Sequence, residues 1–204
     1  METTNNLPPT SIWQGKTIRL RAIEPSDWEA YFKLDQDEEQ ARALYFVPFP
    51  PSQNGSKRFA EEAASKKAEG DNFRFVIENR EKEVVGDLTT HFCNPRNGSF
   101  SWGITIKQEH RRKGYATESL LHVMRYYFHE LRYQKVTVTI YSFNEASARL
   151  HERHGFQQEG RIRRTVFTRG QFFDELIYGL TVEEYIAKHM EITQIKGEKN
   201  GSTD

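Results

Sequence analysis

The chain switches between two hydrophobic periods, the alternation of β-strands and the three-to-four-residue spacing of amphipathic helices. Alternating apolar positions predict strands near residues 17–21, 73–77, 84–88, 100–106, 136–140, 161–168 and 175–180. The strongest helical pattern begins near Thr117, and its apolar residues form one stripe of Leu120, Leu121, Met124, Tyr127, Phe128 and Leu131. The predicted order is β-α-α-β-β-β-α-β-α-β-β, which indicates an α+β (mixed α/β) domain.

The two N-terminal helices are predicted from their capping residues. Ser26 and Glu29 have the spacing of a capping box, so a helix is expected to begin there. The proline-rich segment 45–53 predicts a loop. Ser56 is then expected to cap a second helix that stops at Gly70.

The second half of the chain carries three further boundary signals. Asn97-Gly98 is typical of a type I′ hairpin turn, which would complete three antiparallel strands. The long helix then joins two strands by a crossover, so these strands should be parallel and the connection right-handed. Asn144 is a natural N-cap for a short helix, and Gly155 can end it in the left-handed conformation, with Phe156 folding back on Leu150.

Length and composition predict one domain over residues 12–190, because no linker or internal repeat interrupts the 204 residues. The polar ends, 1–11 and 191–204, are expected to be mobile. The single cysteine, Cys93, excludes an internal disulfide framework and a cysteine-ligated zinc site. No signal region or membrane-length apolar run is apparent, so a cytoplasmic protein without membrane contact is expected.

Charge is balanced overall, with 29 Lys+Arg against 29 Asp+Glu, which argues against a dedicated nucleic-acid binder. It is unevenly distributed, since Arg111 to Arg169 holds 12 basic and 5 acidic residues. This excess suits a polyanionic small molecule bound by the C-terminal half. A solvated surface with segregated charges is the alternative.

The loop Arg111–Thr117 joins a predicted strand to the long helix and has the composition of an anion site. Its first-turn N–H groups and the positive end of the helix dipole favour phosphate. Gly114 allows close approach and a positive φ. A P-loop is excluded because Lys113 precedes a lone glycine, and a Rossmann fingerprint because the three spaced glycines are absent.

Arg-x-x-Gly-x-Ala at residues 111–116 resembles the pyrophosphate loop of the GCN5-related N-acetyltransferase (GNAT) superfamily. The preceding strand 102–106, Asn144 and Gly155-Phe156 stand at that family's spacing. Leu20-Arg21 and the C-terminal pattern also look like the ribosomal-protein alanine/serine acetyltransferase (RimJ/RimL-like) branch. The resemblance covers about residues 14–188 and implies a central mixed, mostly antiparallel sheet of about seven strands flanked by helices.

The resemblance implies acetyl-CoA as co-substrate, no metal, and direct transfer of the acetyl group to a primary amine. Pantetheine would lie along Ile104, Thr105 and Ile106, with one of these N–H groups as the oxyanion donor. The pyrophosphate would bind the amides of Arg112 to Thr117, with a guanidinium of Arg111 or Arg112. The residues expected to hold the cofactor are therefore Ile104, Thr105, Ile106, Arg111, Arg112, Lys113, Gly114, Tyr115, Ala116, Thr117 and Asn144.

The proton-transfer residues are less constrained by sequence. His151 stands where many family members have a tyrosine that protonates the thiolate, and a histidine can donate a proton near pH 7. A surface histidine is the alternative, and Ser147 and Tyr141 are in reserve. A carboxylate base is expected among Asp87, Asp174 and Glu159, although charged residues alternate on any half-exposed sheet.

The acceptor is left open between a protein N-terminus, such as that of a ribosomal protein, and a small amine. A non-catalytic acyl-CoA-binding or regulatory protein on the same fold is the alternative function. A third reading is an RNA- or ribosome-docking module that uses the arginine-rich half, although no direct nucleic-acid partner is expected. Family resemblance also favours a possible homodimer.

Overall fold

The computed structural model describes residues 11–44, 46–68 and 70–189. The predicted mobile ends fall almost wholly outside these residues. The strands are β1 (Ile18–Arg21), β2 (Arg74–Asn79), β3 (Val84–Asn94), β4 (Ser99–Ile106), β5 (Lys135–Tyr141), β6 (Gln157–Thr168) and β7 (Gln171–Thr181). The helices are α1 (Trp28–Asp35), α2 (Glu38–Leu44), α3 (Gln53–Ser65), α4 (Tyr115–Arg125), α5 (Glu145–Arg153) and α6 (182–189).

The seven strands form one sheet in the order β1-β2-β3-β4-β5-β7-β6. β4 and β5 pair in parallel at Ser99↔Lys135 and Phe100↔Val136, as the crossover predicts. β1 with β2, β2 with β3, and β7 with both β5 and β6 are antiparallel. The predicted mixed sheet and α+β class are therefore confirmed.

Two compact units divide the chain. The first comprises Met1–Cys93 and Trp102–Leu131, and the second comprises Asn94–Ser101 and Arg132–Asp204. The single-domain assignment stays a prediction.

In the first unit, α4 carries the helical stripe. Leu120, Val123 and Met124 have no exposed surface. The stripe continues into one π-helical turn, Tyr126–Glu130, in which the Leu131 N–H donates to the Tyr126 carbonyl at 3.2 Å. Leu120, Met124, Tyr127 and Phe128 of the predicted stripe are buried, but the burial of Val123 and the change of helix type were not predicted.

The first helix does not begin with the predicted capping box. A 3₁₀ turn, Pro25–Asp27, precedes α1, and the box is formed by Glu24 and Asp27 instead of Ser26 and Glu29. Pro25 starts the turn early because its fixed φ suits a first helical position. Asp27 accepts the Glu24 N–H at 2.8 Å.

The next two helices also differ from the prediction. Ser52, rather than Ser56, caps α3 by accepting the Gly55 N–H at 3.0 Å, and the helix ends at Ser65, before Gly70. The short helix α2 was missed, although Asp37 accepts the Gln40 N–H at 3.0 Å, which is a recognisable cap.

In the second unit, the predicted type I′ turn at Asn97-Gly98 is wrong. Gly98 has φ 62°, but Asn97 does not have a positive φ, and type I′ needs both. The Asn94 side chain accepts the Asn97 N–H at 3.1 Å and organises a four-residue turn over 95–98 instead.

Gly86 sets the close approach of β3 to β4 in the first unit. A Cβ placed at Gly86 would lie 2.0 Å from the Thr105 carbonyl oxygen, which is backbone and cannot move aside. A Cβ at Gly103 on β4 would meet nothing within 4 Å. These two glycines are thus a matched pair of strand positions.

We expect Gly86→Ala to lower the free energy of unfolding by about 3 kcal/mol or more, since a backbone clash must be relieved by strand separation. Gly103→Ala should change it by less than about 1 kcal/mol. Urea unfolding followed by circular dichroism measures both. Equal midpoints for the two variants would contradict the close approach.

Candidate active site

The predicted site residues fall into two groups, one in each unit. Ile104–Ile106, Arg111–Thr117 and Asp87 lie in the first unit, and Asn144, Ser147 and His151 lie on α5 in the second. Each group has a geometry that can be described by itself.

The turn between β4 and α4 leaves backbone donors uncapped. The helix begins at Tyr115, two residues before the predicted start, and its N-cap is Gly114 with φ 85°, which has no side chain to offer. The first intrahelical bond is from the Glu118 N–H to the Gly114 carbonyl at 3.0 Å. The N–H groups of Tyr115 and Ala116 therefore precede the hydrogen-bonded ladder and, with the helix dipole, favour an anion.

The basic side chains of the loop divide into two roles. The Arg111 Nε–H donates to the Ile106 carbonyl at 3.1 Å, and its guanidinium reaches Gln40 on α2 at 3.4 Å. Arg111 therefore braces the loop. Arg112, held at φ 63°, and Lys113 are exposed, so they are better placed than Arg111 to meet a phosphate.

The end of β4 presents its main chain in two directions. The Thr105 carbonyl faces Gly86, and the Lys107 N–H donates to the Val85 carbonyl at 2.9 Å, so both point toward β3. Because successive residues of a strand point their polar groups to opposite sides, those of Ile104 and Ile106 point away from β3. This is the orientation that an extended ligand lying along β4 would need.

Both ends of α5 form as predicted. Asn144 accepts the Ser147 N–H through Oδ1 at 3.1 Å. Gly155 has φ 93°, and the Phe156 N–H donates to the His151 carbonyl at 3.1 Å, which is a Schellman close. Phe156 packs edge-on against the His151 ring, with centroids 4.9 Å apart.

His151 is held inside this close. It is 3% exposed, and its Nδ1 lies 2.8 Å from the Ser147 carbonyl, so Nδ1 carries the proton and donates it. Burial lowers the pKa of His151 from 6.5 to about 4, although the Ser147 carbonyl partly opposes the shift. The ring is therefore neutral at pH 7, and this favours packing over acid catalysis.

Ser147 has a more accessible position one turn earlier. It is half-buried in the first turn of α5, and its Oγ lies 3.5 Å from His151 Nδ1. A hydroxyl in this position can donate a proton outward while the buried imidazole stays bonded to the backbone.

Asp87 is engaged by Arg74. The carboxylate is 7% exposed and accepts the Arg74 Nε–H at 2.7 Å, with Nη2 at 2.5 Å. The Arg74 guanidinium also lies over the rings of Tyr31 and Phe59, at 5.2 and 5.1 Å. An Asp87 bound in this way is better suited to positioning Arg74 than to accepting a proton.

Asp35 is a candidate base that the sequence reading missed. It is exposed at the end of α1, yet neighbouring side chains displace enough water to raise the pKa of its carboxyl, against the influence of Arg74. The sequence signal that could have found it is an acidic residue in the last turn of a helix, where the negative end of the helix dipole disfavours the ionised carboxylate.

The other two candidate bases are paired within the second unit. Asp174 accepts the Arg164 backbone N–H at 2.8 Å and the Arg161 Nε–H at 2.6 Å, and these bonds lower the pKa of its carboxyl. Glu159 binds Lys135 at 2.6 Å. A lowered pKa makes Asp174 a weaker base.

A family model for the acetyltransferase (GNAT) domain matches residues 17–157. The chain therefore belongs to the GNAT acetyltransferase family and is an acetyl-CoA-dependent N-acetyltransferase that transfers acetyl groups to amines.

Several proteins named as acetyltransferases are similar to this chain. The SPbeta prophage-derived uncharacterized N-acetyltransferase YokL of Bacillus subtilis (strain 168) is 39% identical over 88% of this chain and 98% of its own. The putative ribosomal N-acetyltransferase YdaF of the same strain is 25% identical over 82% of this chain and 93% of its own. The crystal structure of spermidine N-acetyltransferase from Vibrio cholerae in complex with CoA and spermine superposes with a TM-score of 0.73, at 22% identity over 83% of this chain and 98% of that one.

The residues that the structure describes include neither a membrane-spanning helix nor a metal-ligand cluster. None of their helices is long and apolar enough to cross a membrane. No group of three or more His, Cys, Asp or Glu among them could hold a metal ion.

We expect the buried His151 to make the protein acid-sensitive. Its pKa is lower folded, at about 4, than unfolded, at 6.5, so below pH 6.5 the unfolded state takes up the proton first and stability falls until about pH 4. Between pH 7 and pH 5 this imidazole should remove roughly 2 kcal/mol.

The measurement is urea unfolding at both pH values for wild type and His151→Phe. The variant should lose roughly 2 kcal/mol less than wild type over this interval. His129→Gln, which removes an exposed imidazole, is the matched control and should behave as wild type. An unchanged pH dependence in His151→Phe would show that the ring is not buried neutral.

Proposed function

We propose that this protein transfers the acetyl group of acetyl-CoA directly to a primary amine, with the pyrophosphate held at the start of α4. The observation that carries the proposal is the uncapped N-terminus of α4. Its N-cap is Gly114, exposed Arg112 and Lys113 precede it, and the N–H groups of Tyr115 and Ala116 follow it. The helix dipole, the uncapped amides and the two adjacent cations each favour a bound phosphate.

The acyl arm would extend from this turn along β4. The Ile106 carbonyl accepts the Arg111 Nε–H, but the Ile106 N–H and the main-chain groups of Ile104 can hydrogen-bond an extended amide chain, and one N–H can stabilise the oxyanion. Asn144, the N-cap of α5, stays a cofactor-binding residue that the family resemblance implies. No covalent enzyme intermediate is required, because the amine itself attacks the thioester carbon.

Proton transfer would use Ser147 and a carboxylate near Arg74. Ser147 donates to the leaving thiolate, because His151 is neutral and bonded inward at the working pH. Asp35, with its raised pKa and exposed carboxylate, accepts the proton of the attacking amine more readily than the Arg74-bound Asp87.

The acceptor is proposed to be either a polyamine or a protein N-terminus. The relatives support both, since one is named a putative ribosomal acetyltransferase and a structural neighbour is a spermidine acetyltransferase. The RimJ/RimL-like assignment, a cytoplasmic location and a homodimer stay predictions. Thiol release from acetyl-CoA, measured across polyamines, amino acids and N-terminal ribosomal peptides, identifies the acceptor.

Gly114→Asp should weaken acetyl-CoA binding at least tenfold or so, because it places a negative charge beside the pyrophosphate. Gly114→Asn is the matched control. Both residues tolerate the left-handed conformation and have the same shape, and nothing lies within 4 Å of a Cβ at this position. Calorimetric titration with acetyl-CoA measures the difference, and equal affinities in the two variants would contradict the loop assignment.

Ser147→Ala should lower kcat roughly ten- to a hundredfold with the acceptor found in the screen, while the KM for acetyl-CoA changes little. The loss is modest because a thiol of pKa near 8.5 is already a fair leaving group. His151→Phe and the distant Ser65→Ala should retain kcat. Normal turnover in Ser147→Ala with loss in His151→Phe would return the role to His151.

A further inference from the structure

The hairpin formed by β6 and β7 extends past the end of the strand beside it. β7 pairs with β5 over residues 175–181, whereas residues 171–173 pair with β6. The far end is a two-residue turn, Arg169-Gly170, in which φ is 52° and 75°, and tight hairpin turns of this length need such positive values. Residues 163–173, the hairpin tip, have no part in the acetyl-transfer proposal.

The two faces of the hairpin tip differ. Val166 lies opposite Phe173, and both face inward, since Val166 is buried and Phe173 packs on Phe143 with centroids 4.8 Å apart. The next pair, Phe167 opposite Phe172, points to the other face, because successive residues of a strand alternate. These two rings are 5.0 Å apart and 62% and 50% exposed, so the outer face carries an aromatic pair in contact with solvent.

A bulge in β6 adds a guanidinium to this pair. In a regular strand Arg164 would face the same side as Val166, two residues later. The register shifts between Ile162 and Val166, and Arg164 takes the left-handed conformation, with φ 59°, while its N–H donates to Asp174 at 2.8 Å. Its guanidinium lies over the ring of Phe172, 4.8 Å from the centroid. The bulge thus re-aims the arginine onto the outer face.

The charge of the hairpin tip is positive. It contains three arginines, at positions 163, 164 and 169, and no acidic residue. The flanking charges are largely paired, since Arg161 binds Asp174 at 2.6 Å and Lys135 binds Glu159 at 2.6 Å. With these four residues and Glu175 included, five basic residues stand against three acidic ones, so the positive balance persists.

From this stack of Arg164, Phe172 and Phe167 and from this charge we infer that the hairpin tip binds single-stranded nucleic acid. Unpaired bases stack on exposed aromatic rings and on guanidinium planes, and arginines neutralise the phosphates between them. An isologous contact between two copies of the tip would bring like charges together, which favours an anionic partner over a second copy. The overall neutrality of the chain is compatible with such a local surface.

The test measures fluorescence anisotropy of a labelled oligouridylate titrated with the full chain. We expect saturable binding that weakens at least tenfold or so between about 50 and about 200 mM salt. The same strand paired with oligoadenylate should bind at least about tenfold more weakly, because pairing hides the base faces. Absence of saturable binding at low salt, or equal affinity for strand and duplex, would overturn the inference whether or not the protein transfers acetyl groups.

Two substitutions locate the surface. Phe172→Ala should weaken the oligouridylate at least about fivefold by removing a stacking ring. Arg164→Asn should weaken it several-fold and flatten the salt dependence, and asparagine tolerates the left-handed conformation, so the bulge is kept. Phe49→Ala and Arg58→Gln, at an exposed ring and an exposed guanidinium in the first unit, are the matched controls and should bind as wild type.

Unchanged affinity in either hairpin variant, with normal circular dichroism, would refute the assignment. Sedimentation velocity tests the other occupant. A dimeric wild type that becomes monomeric in Phe172→Ala would assign the aromatic pair to a second copy of the chain instead.

Discussion

The burial of α4 is the constraint on which the first unit depends. Leu120, Val123 and Met124 are fully withdrawn from water, and side chains of this size contribute about 1.5–3 kcal/mol each. Glu118 also accepts the backbone N–H of Thr17 beside β1, which fixes the rotation of the helix. With its axis and rotation set, α4 exposes an uncapped N-terminus beside the loop Arg111–Thr117 and continues into the π-helical turn Tyr126–Glu130 at its other end.

Structural features that depend only on residues close together along the chain were predicted correctly from the sequence. The stripe of α4, the Asn144 cap and the Gly155 close each depend on neighbours along the chain, so the residues alone specify them. The early starts of the 3₁₀ turn before α1 and of α3 were missed because several polar residues compete to cap each helix. Arg21, from a neighbouring strand, helps to select Asp27 in the first case.

Contacts between distant segments set the rest of the site, and sequence could not supply them. From the sequence, Arg111 was predicted to bind phosphate. In the structure its guanidinium donates to the Ile106 carbonyl and to Gln40 on α2, which is 71 positions away along the chain. Asp87 reads as a free strand carboxylate, but Arg74 binds it from β2. Trp13 packs on Phe75 and on Tyr126, which lie far from it along the chain, so no local pattern predicts these contacts.

His151 stands where many members of the family have a tyrosine, and Ser147 is the proposed proton donor. Both features have the same physical cause. The Schellman close places the side chain of residue 151 against Phe156, and this contact favours a ring that is buried away from water. A histidine there stays neutral, because an imidazolium would lose its hydration, and its single N–H is bound to the Ser147 carbonyl. The buried ring thus secures the helical turn that carries Ser147, whose hydroxyl is more accessible to solvent than the imidazole.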